Sequence, residues 1–247
     1  TFGQGVAGGR MGMYAWEWDR IYEYPMVPPG LKIDTDDPAG VTRNLKKAAT
    51  FFGAARVGVC ELDGRWVYSS VYSHKVQKSL PNTISEEYQY AVALAIEMDY
   101  TSIGCSPASP SSAATGLGYS KMAFIAGLLA HYIRGLGYKA IACGNDTACS
   151  IPIAIDAGLG ELARNGLLIT PTFGPRIRLA KVFTDLPIIP DKPIEFGVWD
   201  FCMTCEKCAK KCPSQSIMDG EPTEAIHNIS NREGVRAWHI DAETCLS

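Results

Sequence analysis

The residues with the clearest chemical role in this 247-residue chain are cysteines in one short run. They follow the spacing Cys-x2-Cys-x2-Cys-x3-Cys-Pro and are Cys202, Cys205, Cys208 and Cys212, with Pro213 next. In bacterial ferredoxin-type runs of this spacing, three thiolates bind one [4Fe–4S] cluster and the fourth binds a second cluster. Structural zinc sites usually divide their ligands into separated pairs. The run therefore favours iron–sulfur ligation over zinc or disulfides.

The number of cysteines does not match two complete clusters. Two clusters need about eight thiolates, and Cys245 is the one cysteine downstream of the run. The upstream cysteines lie among apolar residues, where buried cysteines are usually inert. We therefore expect that Cys245 begins a second cysteine motif and that the chain is a fragment ending inside its iron–sulfur domain. One cluster with an unusual fourth ligand is the alternative.

A second candidate set consists of Tyr119, Asn145 and Arg178. Residues 102–118 are rich in Ser, Pro, Gly and Ala, which predicts a loop and places Tyr119 at the start of the next helix. There the positive end of the helix dipole would favour a phenolate. The tyrosine could donate a proton while Asn145 orients it and Arg178 offsets the charge. The structural alternatives are a helix-capping core aromatic and a surface ion pair.

Composition excludes several classes of protein. The 23 Lys and Arg residues against 26 Asp and Glu give a net charge of −3, which argues against a nucleic-acid-binding surface. With 47% hydrophobic residues, the chain can form a buried core. The longest nearly unbroken apolar run, residues 123–133, is about half the roughly 20 residues of a membrane span. We therefore expect no transmembrane helix.

Sequence patterns predict an irregular segment over 1–40, an α/β domain over 41–190 and a ferredoxin-type domain over 191–247. Apolar periodicity predicts helices and strands that alternate, which is typical of a layered α/β or α+β domain. Asp63-Gly64 predicts a hairpin turn between two of the strands. The predicted helices are 13–22, 42–52, 85–100, 119–133 and 151–164. The predicted strands are 56–62, 66–72, 139–143, 167–170 and 177–183.

These motifs together resemble the corrinoid-dependent reductive dehalogenases. The resemblance runs from about residue 41 to the end, and its motifs occur in the family's order. They are residues 115–119 before an apolar helix, Gly144-Asn145, residues 174–178, the cysteine run, and residues 238–245. The resemblance implies an α+β fold, with a nitroreductase-like corrinoid-binding domain followed by a truncated ferredoxin-like iron–sulfur domain. It implies a catalytic subunit truncated at both ends.

The resemblance also implies the reaction, which is reductive dehalogenation of an organohalide, such as a chlorinated hydrocarbon, in anaerobic organohalide respiration. A base-off cobamide, as Co(I), and two [4Fe–4S] clusters are the implied cofactors. Tyr119 would be the proton donor, supported by Asn145 and Arg178. The cluster nearer the corrinoid would use Cys212 and Cys245 with two missing cysteines. The other cluster would use one missing cysteine together with Cys202, Cys205 and Cys208.

The family further implies export to the outer face of the cytoplasmic membrane and attachment there by a small integral-membrane anchor protein. A respiratory electron donor would be a second partner, and no nucleic acid is expected. The nearest enzyme alternative is epoxyqueuosine reductase, against which Tyr119 and the acidic charge balance argue. A plain iron–sulfur electron carrier is another alternative, although about 190 residues precede the cysteine run. A gene piece without activity of its own is the third.

Overall fold

The computed structural model describes residues 27–28, 30–73, 76–228 and 231–246. The predicted helix over 13–22 and much of the irregular segment lie outside these residues. The chain divides into two compact units. The first unit contains the chain up to residue 159 and residues 176–193, and the second contains residues 160–175 and 194 onward. Residues 160–175 therefore pack with the cysteine-rich region, although the sequence placed them in the α/β domain.

The first unit contains a four-stranded sheet and its covering helices. The helices are α1 (Pro38–Phe51), α2 (Tyr100–Gly104), α3 (Ser109–Gly135) and α4 (Ser150–Asp156). The sheet strands are β1 (Arg56–Glu61), β4 (Tyr90–Glu97), β5 (Ala140–Cys143) and β8 (Ile177–Thr184). A separate two-stranded ribbon consists of β2 (Ser70–Ser73) and β3 (Lys78–Pro81).

The sheet has the strand order β1-β4-β8-β5, and every neighbouring pair is antiparallel. Helices α1 and α3 contribute to a core on one face of the sheet. Along β4 and β8, every second side chain points to this face, and the side chains that these strands bury in that core all belong to this set. In the register, Val92 pairs with Val182 and Leu94 with Ala180, and all four belong to this core. The antiparallel sheet with packed helices confirms the α+β class.

The predicted helix over 85–100 is wrong, because this stretch contains β4. Six consecutive residues of β4 are buried, since the strand lies inside the sheet and is covered on both faces. Such a strand has a continuous apolar sequence without the alternation of a half-exposed strand. Its alanines and leucine have high helix propensity, which misled the prediction. The helix predicted over 151–164 is also too long, since α4 ends at Asp156.

The predicted loop over 102–118 is wrong as well, because α2 and the first turns of α3 occupy it. Pro110 stands in the first turn of α3, where a missing N–H costs nothing. The small residues bring the helix close to its neighbours instead of forming a loop. At the buried Gly118, a Cβ atom would lie 2.9 Å from Cγ of Arg178 and 3.4 Å from Cγ of Met98.

The predicted hairpin at Asp63-Gly64 is also wrong. Strand β1 pairs with β4, and β2 pairs with β3. Asp63 instead caps a short 3-10 helix over Gly64–Trp66, and its carboxylate accepts the Arg65 backbone N–H at 2.9 Å. An aspartate before glycine suits both structures, so the dipeptide alone did not decide between them.

Helix α3 has the length and apolar composition of a membrane-crossing helix, which core helices of soluble proteins also have. It is longer than the apolar run considered from the sequence, because its first turns consist of small residues. Its buried side chains Met122, Ile125, Leu129 and Ile133 belong to the core of the first unit. In this structure the helix packs against the sheet.

The second unit has little regular structure. Its strands are the short pair β6 (Glu161–Leu162) and β7 (Leu168–Ile169), which are antiparallel. Its helices are α5 (Val198–Thr204), α6 (Lys207–Lys211) and α7 (Ala242–Leu246). Cys202, Trp238 and Ala163 form its small buried core. An apolar core this small leaves much of the unit's order to hydrogen bonds.

We predict that Gly58→Ala lowers the free energy of unfolding by about 1–3 kcal/mol. Gly58 lies in β1, and a Cβ atom there would overlap the backbone carbonyl oxygen of Ala157 after α4. Urea unfolding followed by far-UV circular dichroism measures the change. Gly104→Ala is the control, because a Cβ atom at Gly104 would meet no atom beyond its own helix and chain neighbours within 4 Å. Equal stability of the two variants would contradict this close approach.

Candidate functional site

Tyr119 lies within α3, ten residues after the helix begins at Ser109, and not at its N-terminus. The expected help from the helix dipole is therefore wrong, since that effect is confined to the first turn. The ring is half-buried and packs against the core of the first unit. Its position is thus fixed by packing on the sheet rather than by a loop.

Arg178 contacts both the ring and the hydroxyl of Tyr119. Its Cζ lies 4.6 Å from the ring centroid, and its Nη1 donates to Oη at 3.4 Å. Arg178 follows Ile177 in β8 and points to the face on which α3 packs. Neighbouring Arg176 pairs with Glu97 at 3.0 Å, whereas Arg178 has no such carboxylate among the described residues. Its positive charge is therefore available to a negative group at the tyrosine oxygen.

Asn145 comes two residues after β5 ends, and it is exposed. Its Nδ2 donates to Oη of Tyr119 at 3.4 Å, and its Oδ1 accepts from Oγ of Ser150 at 3.5 Å. The structure thus brings together the three residues selected from the sequence. Both contacts to the tyrosine oxygen are donated to it, so neither uses the phenol hydrogen. The catalytic roles of these residues stay predictions.

Lys181, whose role was not identified from the sequence, supports the turn that contains Asn145. Its side chain is 1% exposed, and Nζ donates to the carbonyl oxygens of Gly144 (2.6 Å) and Ala148 (2.8 Å) and to Oγ of Ser150 (2.8 Å). Burial lowers the pKa of Lys181 to about 8. A lysine between the apolar residues Ala180 and Val182 of β8 was the available signal, because lysine is almost never buried without partners.

The cysteine run occupies α5, α6 and the segment after them. Cys202 is buried, Cys205, Cys208 and Cys212 are half-buried, and Cys245 is exposed in α7. All nine cysteines are free thiols. In the portions of the chain that the structure describes, no three His, Cys, Asp or Glu side chains are grouped as metal ligands. The run supplies the right donor atoms for iron–sulfur ligation, and the cluster assignment itself stays a prediction.

Hydrogen-bond donors surround two of these sulfur atoms. The backbone N–H of Arg164 donates to Sγ of Cys202 at 3.5 Å. At Cys212, the Ser214 hydroxyl and then the backbone N–H of Ser216 lower the pKa of the thiol to about 7. The donors at Cys212 stabilise its thiolate, which is the form that binds metal. The local chemistry therefore fits thiolate ligands.

Glu161 fixes the start of the helix that carries Cys202. Its carboxylate accepts four backbone N–H groups around the N-terminus of α5. They belong to Phe196, Gly197 (3.1 Å), Val198 (2.8 Å) and Trp199 (3.2 Å). A carboxylate here satisfies donors that a helix leaves unpaired. No sequence motif indicated this role, since Glu161 precedes the run by about forty positions.

Two tetrachloroethene reductive dehalogenases are similar to the chain over most of its length. The protein from Desulfitobacterium hafniense is 37% identical over 271 residues, which covers 94% of this chain and 49% of the relative. The protein from Sulfurospirillum multivorans is 38% identical and covers 86% of this chain and 48% of the relative. The chain belongs to the reductive dehalogenase family. No family model matches it.

Solved reductive dehalogenase structures agree with this membership. One, from which a mechanism for B12-dependent dehalogenation was suggested, superposes with a TM-score of 0.77 at 30% identity. The match covers 93% of this chain and 32% of the chain in that solved structure. The structure of the catabolic reductive dehalogenase NpRdhA in complex with 3-bromo-4-hydroxybenzoic acid superposes with a TM-score of 0.77 at 28% identity. The match covers 98% of this chain and 37% of the NpRdhA chain. The chain spans about half the length of the curated relatives it matches.

Epoxyqueuosine reductase is a more distant relative. The Bacillus subtilis protein is 37% identical over 78 residues, which is 32% of this chain. The Streptococcus thermophilus structure has a TM-score of 0.51 at 18% identity over 72% of this chain, a likeness of fold alone. The longer match favours the reductive dehalogenases over this alternative.

We predict that raising the pH from about 7 to about 9.5 stabilises the protein relative to Lys181→Met by about 2 kcal/mol. The folded pKa of Lys181 is about 8, below the ordinary 10.5 that the unfolded chain has. The folded state therefore releases its proton first, and the cost of burying the charge disappears as the pH rises. Urea unfolding measures this difference. Lys121→Met, at an exposed lysine of α3, is the control and should show no such change relative to the wild type. If the free energy of unfolding of Lys181→Met changed with pH in parallel with that of the wild type, the prediction would be contradicted.

Proposed function

We propose that this chain is the part of a reductive dehalogenase that holds the proton donor and cysteine ligands for iron–sulfur clusters. The overall reaction consumes an organohalide, two electrons and one proton, and yields the hydrogenated product and a halide ion. Support comes from the similarity to tetrachloroethene reductive dehalogenases and from the residues that meet at Tyr119. A chlorinated hydrocarbon is the proposed substrate class.

The observation that carries this proposal is the hydrogen bonding of the Tyr119 hydroxyl. Its oxygen accepts from Arg178 and from Asn145, each at 3.4 Å, so the phenol hydrogen can be donated to a substrate carbon. When the proton leaves, the negative oxygen already faces a guanidinium and an amide N–H group. Donors placed in advance around a developing charge lower the barrier, because they need no reorganisation. Tyr119 is thus the proposed general acid.

A cobamide is the proposed cofactor of the first unit, which we assign to the nitroreductase-like fold. When bound in reduced form, it would supply the electrons that break the carbon–halogen bond. The Nε atom of Arg178 is buried and has no hydrogen-bond partner among the described residues. A buried donor without a partner is costly, so it fits a site that a bound group completes. Tyr119 and Arg178 would then face the substrate beside this cofactor.

Two [4Fe–4S] clusters are the proposed cofactors of the second unit, which we assign to a ferredoxin-like domain. The thiolates of Cys212 and Cys245 would help to hold one cluster, with two cysteines from outside this chain. The other cluster would take one further cysteine together with Cys202, Cys205 and Cys208. The spacing of the run and the donors around two of the sulfur atoms support these assignments.

The remaining proposals concern the cellular setting. We propose organohalide respiration at the outer face of the cytoplasmic membrane, with a small integral-membrane anchor protein and a respiratory electron donor as partners. Resemblance to the family supports them.

Tyr119→Phe should lower the dehalogenation rate by about 100-fold or more, because general acid catalysis contributes at least that factor. The variant keeps the ring that packs against Arg178 and loses only the hydroxyl. Turnover of tetrachloroethene by the full-length gene product, loaded anaerobically with cobamide, measures the effect. Tyr132→Phe on the same helix is the control. Near wild-type turnover in Tyr119→Phe, at unchanged cobalt and iron content, would refute the proton-donor role.

Cys205→Ala should remove about four iron atoms per protein, because one of the two clusters loses a ligand. The fold of the first unit should persist, since Cys205 lies in the second. Metal analysis of the anaerobically purified full-length protein gives the iron content, and far-UV circular dichroism reports the fold. Cys105→Ala, at an exposed cysteine outside the run, should leave iron unchanged. Loss of zinc at constant iron would refute iron–sulfur ligation.

A further inference from the structure

Arg164 is a fully buried cation in the second unit, with 0% of its surface exposed. Its guanidinium makes four hydrogen bonds, all to backbone carbonyl oxygens of the same unit. Nε and Nη2 donate to the oxygen of Cys202 at 3.2 and 2.7 Å. Nη1 donates to the oxygens of Met218 at 3.1 Å and Gly220 at 2.9 Å. These neutral partners satisfy its hydrogen-bond donors, but they carry no opposite charge.

Aromatic rings exclude water from one side of this charge. The guanidinium carbon lies 4.5 Å from the ring centroid of Trp238, which is 2% exposed. The Trp238 ring packs against Trp199 at 4.6 Å and donates its N–H to the oxygen of Gly220 at 2.9 Å. Desolvation strengthens the interaction of a charge with its surroundings, because the local dielectric constant falls. The field of Arg164 is therefore weakly screened by water.

Both the main chain and the side chain of Arg164 are directed at Cys202. The backbone N–H donates to the sulfur atom at 3.5 Å, while the guanidinium binds the carbonyl oxygen of the same cysteine. No other described residue donates to both ends of Cys202. No carboxylate among the described residues forms an ion pair with Arg164. Glu206 interacts with its charge at longer range, but Glu206 is partly exposed and already paired with Lys210 at 2.9 Å. A negatively charged group on the sulfur atom would compensate the buried charge more directly.

We propose that Arg164 is a charge-compensating positioning residue for the iron–sulfur centre that Cys202 would ligate, and that it raises the reduction potential of this centre. The inference rests on the proposed iron–sulfur ligation by the cysteine run. A [4Fe–4S]2+ core with four thiolates has a formal charge of −2, and one electron from a low-potential donor makes it −3. A fixed positive charge stabilises the more negative form more strongly. Removing the charge should therefore make reduction harder.

Arg164→Gln and Arg164→Lys separate charge from packing. Glutamine retains polar hydrogen bonding without the charge, whereas lysine retains the charge without the planar guanidinium. In Arg164→Gln, the ratio of reduced to oxidised centre at a given potential should fall by about tenfold. For a one-electron couple this equals about 59 mV. Arg164→Lys should stay close to the wild type.

The measurement is an anaerobic potentiometric titration of the full-length gene product, followed by electron paramagnetic resonance with dithionite as reductant. It requires no dehalogenation activity. Arg43→Gln is the matched control, because Arg43 is an exposed arginine of the first unit. Iron content and far-UV circular dichroism are recorded for each variant. One centre should shift in Arg164→Gln, and neither centre should shift in Arg43→Gln.

The outcomes separate this inference from the proposed function. Absence of iron in the wild-type protein would refute the iron–sulfur ligation itself. Iron with an unchanged potential in Arg164→Gln would overturn the role of Arg164 alone. If Arg164→Gln fails to hold the centre, Arg164→Lys decides. A centre held by lysine at the wild-type potential supports a requirement for charge, whereas loss in both variants makes Arg164 purely structural and overturns the inference.

Discussion

The alternation of side chains along β8 is the constraint on which the candidate active site depends. Because successive residues of a strand point to opposite faces, Arg178 and Lys181 face different sides of one sheet. Arg178 meets Tyr119 on the side of α3, and Lys181 holds the turn after β5 from the side of α4. A one-residue slip of β8 would exchange the two faces and remove both contacts. Pairing with β4 on one side and β5 on the other fixes that register.

Buried cations are a recurring feature of this chain. Arg134, Arg164 and Lys181 are each at most 1% exposed, and each donates hydrogen bonds to backbone carbonyl oxygens. Burying such a group costs several kcal/mol, so a hydrocarbon side chain could stabilise the same packing at lower cost. A cation also fixes geometry, because its several N–H donors hold specific backbone carbonyl oxygens in place. Lys181 does this beside Asn145, and Arg164 does it beside Cys202, at the places where the proposed chemistry needs precise geometry.

The sequence was informative where a local pattern determines the outcome. The helix over 42–52 and the strand over 177–183 depend on near neighbours, and the corresponding helix and strand are present. It misled where tertiary packing decides. Strand β4 has a helix-like composition because both of its faces are buried, and the small residues of α3 resemble a loop because the sheet approaches them closely. Lys181, Glu161 and Arg164 act over contacts distant in sequence, which spacing alone does not reveal.

The two units arrange the surroundings of a reactive atom in a similar way. At Tyr119, an amide and a guanidinium both donate to the phenol oxygen, so the hydrogen stays free and the phenolate would be stabilised. At Cys202 a backbone N–H donates to sulfur, and at Cys212 a hydroxyl and backbone N–H groups are directed at sulfur and lower the pKa of that thiol. At Tyr119, Arg178 lies on β8 beside the core residues Ala180 and Val182, so this donor is in place before any charge develops. Preorganised donors of this kind are worth more than flexible ones, because no energy is spent in turning them toward the charge. The family's chemistry would thus depend on hydrogen-bond donors that the fold itself holds in position.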